Sequence, residues 1–213
     1  MPFSLSGIKL PEQGVRLEGH GINISTNAFE GPVRGQVMNT QAVGSLLGST
    51  TVQYDPQKAD NASTITFDFT PYMPLGINDV ITIALPSFQR AAGSFDVEST
   101  PTGVILRAAW SSTRSELVFT VRAPTQERER VTIVVPQAAG LKLPIVGVRE
   151  DQTTLTMRIA AASGVLPTTS IISSPPVGSF TDTTALQYEP LKVYEDIKLD
   201  IFFQTAMPLA RGE

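Results

Sequence analysis

The chain has 213 residues, 41% of them hydrophobic, and a formal net charge of -4. That is enough apolar side chain for a sizeable core and argues against wholesale disorder, while the negative balance makes a nucleic-acid polyanion a poor partner. The absence of cysteine removes disulfides, thiolate-ligated zinc, iron–sulfur clusters and thiol nucleophiles, and the single histidine, His20, cannot build a multi-histidine metal site.

Met1-Pro2-Phe3-Ser4 lacks the basic start and apolar run of a secretory signal, and no later run of about eighteen apolar residues predicts a membrane-spanning helix. Gly7-Ile8-Lys9-Leu10-Pro11 and Gly14-Val15-Arg16 form a first block that recurs later in the chain. His20 lies in the glycine-rich Glu18-Gly19-His20-Gly21, which reads as an exposed turn. Asn23-Ile24-Ser25 fits the N-glycosylation acceptor, although Ile22 and Ile24 suggest a strand there. The best helical candidate, 39–47, is short and interrupted by Gly44.

From residue 43 onward the apolar residues alternate with period two. Val52-Gln53-Tyr54-Asp55-Pro56-Gln57-Lys58 opens the pattern, and Asn61-Ala62-Ser63 gives a second glycosylation triplet between two predicted strands. Ile65, Phe67 and Phe69 alternate with threonines and Asp68. Asn78 and Asp79 stand at the entry to the next run, Ile81, Ile83 and Leu85. An acid there is a weak calcium candidate, because one carboxylate and one asparagine are few ligands. Capping of backbone amides in a turn is the stronger reading. Val104, Leu106, Ala108 and Trp110 share one parity, which places Trp110 in the core, and Leu117, Phe119 and Val121 follow. Glu127-Arg128-Glu129-Arg130 reads as a solvated turn before Val131, Ile133 and Val135, and Leu155, Met157 and Ile159 form a further run.

The sequence then returns to its beginning. Gly140-Leu141-Lys142-Leu143-Pro144 and Gly147-Val148-Arg149 repeat the first block, with Gly7 falling on Gly140 and Gly14 on Gly147. Val177-Gly178-Ser179 repeats Val43-Gly44-Ser45, and Leu186-Gln187-Tyr188-Glu189-Pro190-Leu191-Lys192 repeats the segment around Tyr54. Both of these later matches share one offset, which is one position longer than that of the first block. The last match continues through Leu199, Ile201 and Phe203 to Met207-Pro208-Leu209, with eight identities in 25 aligned positions. One or two are expected by chance at about one match in sixteen. Short alternating runs bounded by Pro and Gly predict an all-β antiparallel sandwich of seven or eight strands. The predicted organisation is a C-terminal part of one repeat over 1–42, a complete repeat over 43–176 and an N-terminal part of the next over 177–213. On this reading the chain is an excerpt of a longer array. Ser173-Ser174-Pro175-Pro176 is the expected linker, short and extended because of its prolines.

Together, the Leu186–Pro190 motif, the Phe-rich 65–69 strand, Ile77-Asn78-Asp79-Val80-Ile81-Thr82-Ile83-Ala84-Leu85-Pro86, the Trp110 strand, the Gly140–Pro144 block and Ser174-Pro175-Pro176-Val177-Gly178-Ser179-Phe180 resemble a repeat of very large proteins of algae and other protists. Those proteins are arrays of immunoglobulin-like domains. The resemblance implies tandem immunoglobulin-like sandwiches at the cell surface or in extracellular filaments such as flagellar hairs (mastigonemes). It also implies further copies of the repeat, self-association or other filament proteins as partners, N-linked glycans at Asn61 or Asn23, and O-linked sugars near 173–176. It carries no catalytic residue across. The sequence has no paired carboxylates, phosphate loop or cofactor motif, so a structural or assembly module without enzyme activity or cofactor is the expectation. An adhesin or carbohydrate-binding array is the alternative, with Tyr72, Phe88, Phe95 and Tyr194 as the aromatics available for stacking on sugars.

Overall fold

β-branched and aromatic residues settle into strands where one face is covered, and that rule organises the chain. The structure is a computed structural model describing residues 7, 9–10, 14–15, 23–26, 29–31, 33–36, 43–180, 184–191, 193–194 and 196–205. It is all-β with antiparallel sheets. The 39–47 helix candidate is not helical over 43–47, and 39–42 lie outside the described residues. A 3-10 turn at Gln137–Ala139 is the sole helical element among the described residues.

A body over residues 43–180 contains ten strands: β3 (Thr51–Asp55), β4 (Thr64–Phe69), β5 (Val80–Ala84), β6 (Gly93–Asp96), β7 (Glu98–Thr100), β8 (Arg107–Ser111), β9 (Glu116–Thr120), β10 (Val131–Val135), β11 (Thr156–Ala161) and β12 (Gly164–Ser170). One sheet has the order β3-β4-β10-β7 and the other β12-β11-β5-β9-β8-β6. The chain changes sheet between β6 and β7 at the buried Val97. The two sheets share one core. Phe67 of β4 meets Phe119 of β9 edge-on across it, with ring centroids 6.3 Å apart. Phe67, Phe69, Ile83, Trp110, Phe119, Ile133 and Met157 are all buried. Covering one such side chain contributes roughly 1.5–3 kcal/mol, against about 1 kcal/mol net for a hydrogen bond. Apolar burial therefore decides which strands are firmly held.

The structure departs from the sequence expectation at four strands. Ten strands replace the predicted seven or eight, because β6, β7 and β12 carry little alternation. Pro167 sits inside β12, which pairs with a full strand on one side only and meets the 43–44 segment on the other just at Val165, and an edge strand tolerates a residue without an N–H. The 104–110 parity is broken before its strand begins. Ile105 is buried and Leu106 is 52% exposed, because the chain is still turning there, with the Ile105 N–H donating to Ser99 Oγ at 3.0 Å.

Two further hairpins lie outside the body. β1 (Asn23–Thr26) pairs with β2 (Val33–Gln36), and β13 (Ala185–Glu189) with β14 (Lys198–Phe202). Their registers echo the body. Leu186 faces Ile201 and Tyr188 faces Leu199, and the positions matched to them in the body pair in the same way, Val52 facing Phe67 and Tyr54 facing Ile65. Thr26 faces Val33. The offset that carries Gly7 to Gly140 carries these two to Ile159 and Leu166, which also face each other. The other end of that hairpin differs by one position, because the β11–β12 pair carries a bulge between Met157 and Ile159.

Candidate functional site

Asp79 is 7% exposed. Its Oδ2 accepts the Gly76 N–H at 2.6 Å and its Oδ1 accepts the Ala162 N–H at 3.1 Å. The second bond reaches 83 residues along the chain and ties the entry of β5 to the β11–β12 turn. Ser163 Oγ donates to the Pro74 carbonyl beside it. Asn78 has φ 73° and is exposed, a left-handed conformation that asparagine tolerates. Two amide donors on one carboxylate form a structural tie. No group of three or more His, Asp or Glu side chains placed to hold a metal ion occurs among the described residues.

Asn61 is half-buried in the β3–β4 connection, where its carbonyl accepts the Leu143 N–H at 3.0 Å. Ser63, the third residue of that triplet, is fully buried and donates to the Pro56 carbonyl at 2.7 Å. Asn23 lies on β1, exposed, opposite Gln36. His20 lies outside the described residues, as does the Met207-Pro208-Leu209 recurrence. The 127–130 charges sit in a turn where Arg128 stacks on Tyr72 at 5.1 Å and Arg130 Nε meets the two oxygens of Asp68 at 2.8 and 2.9 Å. Of the aromatics considered for sugars, Phe88 is buried against Tyr54 and Phe95 lies beneath Arg90. Tyr194 is fully exposed.

The features that sequence reading did not assemble lie where the body meets its flanks. Val148 and Val177 exchange backbone hydrogen bonds at 3.0 and 2.8 Å and are 1% and 0% exposed. Val15 and Val43 make the same reciprocal pair at 2.8 and 2.7 Å. A second contact also recurs: Leu46 bridges Pro71 in the body, and Phe180 bridges Thr205 beyond it. The Phe180 ring packs edge-on against Phe203 with centroids 5.8 Å apart.

The β13–β14 hairpin differs from its counterpart in what covers it. Val52, Tyr54, Ile65, Phe67 and Phe69 are at most 4% exposed. Leu186, Tyr188, Leu199, Ile201 and Phe203 lie between 46% and 63%. The same pattern in the same register thus presents an open apolar face, the kind of surface that marks an interaction site. No helix among the described residues is long and apolar enough to cross a membrane.

No protein-family model matches the chain, and neither any curated protein nor any solved structure gives a significant match.

Proposed function

We propose that the chain is a structural module of a long extracellular repeat protein, built from immunoglobulin-like β-sandwiches, each equivalent to the 43–176 segment, joined end to end. The array forms or decorates a filament or surface layer, as in mastigoneme-type proteins. The observation that carries this reading is the recurrence of pairing geometry at the interval of the sequence repeat: the β3–β4 register returns in β13–β14 with its sequence motif, the β11–β12 pairing returns in β1–β2 at one residue pair, and two isolated bridges return. Two unrelated hairpins have no reason to agree in register, turn position and flanking bridge together. The open face of β13–β14 supports the same reading, since its counterpart in the body is covered by the six-stranded sheet. The module acts mechanically, through packed cores and through contacts made along the array.

The test is immunogold microscopy with antibodies raised against residues 43–176. Gold along an extracellular filament or surface layer is the expected result. Label confined to the cell interior overturns the reading. A carbohydrate-binding array is the second reading, and the fully exposed Tyr194 ring favours it. Glycan-array binding that is lost in Tyr194→Ala would move it ahead.

A further inference from the structure

We infer that the 144–152 loop is a docking seat whose occupant is the first extended segment of the following repeat, 177–180, and that this seat makes the joint between repeats stiff. The inference rests on the tandem reading for its meaning, while the seat itself is described within this chain.

The loop is shaped to receive a strand. The Gly147 N–H closes a tight turn onto the Pro144 carbonyl at 3.0 Å, and Gly147 has φ 81°, a conformation that glycine adopts without cost. The turn presents Val148, which pairs with Val177 through both backbone groups, with both side chains buried. Ser179 Oγ adds a bond to the Ile145 carbonyl. On the near side of the linker the loop grips again. The Asp151 N–H donates to the Ser174 carbonyl at 3.0 Å, the Ser174 N–H donates to Asp151 Oδ1 at 3.0 Å, and the Gln152 N–H donates to Ser174 Oγ at 3.1 Å.

Ser174 and Val177 are therefore both anchored to one loop, with only Pro175 and Pro176 between them. Neither proline has an N–H to leave unpaired, and each has φ fixed by its ring. Such a connection has little freedom left to bend. The other end of the body repeats the valine pair. Val15 pairs with Val43, and a Cβ on Gly14, whose φ is 76°, would meet the Val43 carbonyl oxygen at 2.0 Å. Close approach of two backbones explains a glycine there.

Amide hydrogen exchange by NMR on the 213-residue chain tests the seat, with residual dipolar couplings as a second readout. The Val148, Ser174 and Val177 amides should exchange at least about 100-fold slower than free-chain rates, the range expected of a locally closed segment. The β13–β14 couplings should fit the alignment of the body. Val177→Asp should return the Val148 and Ser174 amides towards free-chain rates and release the hairpin couplings, with the Ile133 amide unchanged. Should Val177→Asp unfold the body as well, Asp151→Gly carries the comparison. It deletes the Ser174 acceptor, keeps the positive φ of 48° at that position and leaves the valine pair, and it should speed Ser174 exchange at least about 10-fold. Free-chain exchange at Val148 and Val177 in the parent, or hairpin couplings that average independently, overturns the seat. A protected joint in a polypeptide of 22.9 kDa would instead remove the tandem reading and leave an internal clasp.

Discussion

Tyr54 places a hydroxyl in the core where it meets no hydrogen-bond partner among the described residues, and burial pushes its pKa well above the ordinary tyrosine value. Below about pH 10 both folded and unfolded chains hold the phenol proton. Above it the unfolded chain releases the proton and the folded chain keeps it, so stability falls as pH rises, by about 1.4 kcal/mol per pH unit from this group. Denaturant titrations at several pH values should show that limb in the parent and its loss in Tyr54→Phe. At neutral pH the same substitution should stabilise by about 1 kcal/mol, because it removes an unpaired buried polar group. Asp79 has the opposite balance. Asp79→Ala leaves two amides without their acceptor and should cost about 2–3 kcal/mol. Calcium at millimolar concentration should leave the thermal midpoint of the parent unchanged, since both carboxylate oxygens already serve amides. The capping use of Asp79 was legible in its turn context. Its partner Ala162 was not, because no local pattern points across 83 residues.

The strands that alternation revealed include those with one covered face, β3, β4, β8, β9, β10 and β11, and β5, which is covered on both faces at Ile81, Thr82 and Ile83. The ones it missed lie where burial says little. β6 and β7 have almost wholly exposed side chains. Their strand state comes from hydrogen bonding to β8 and β10, which leaves no period in the sequence. β12 is masked by Pro167, and only its edge position explains it. The linker prolines were readable as an extended segment, but the Asp151 grip on Ser174 depends on a loop 23 residues earlier in the chain. Burial also sets the expected cost of substitutions in matched strands. Phe67→Thr empties a fully buried site and should cost more than about 3 kcal/mol. Ile201→Thr, at the equivalent position of β14 but 63% exposed, should change the unfolding of the body by less than about 0.5 kcal/mol. Equal costs at the two sites would mean that the β13–β14 face is already covered in solution.

At the scale of the whole molecule, the ten-stranded body is flanked in the sequence by two hairpins, of which β13–β14 repeats the β3–β4 register and β1–β2 matches β11–β12 at one pair. The recurrence of motifs was legible in the sequence, since it is written in turn and core residues that local chemistry demands. The Val148–Val177 pairing was not legible, because it is made by the backbones of valines that look ordinary in sequence. A β13–β14 face of five half-exposed apolar residues gains most if a second sheet covers it, as the six-stranded sheet covers β3 and β4. The most direct measurement is the mass of the native polypeptide, by denaturing gel with peptide mapping. The tandem account predicts a mass several times 22.9 kDa, with peptides from further copies of the Gln-Tyr-Glu-Pro and Gly-Leu-Lys-Leu-Pro motifs. A native polypeptide of 22.9 kDa without such peptides would contradict it.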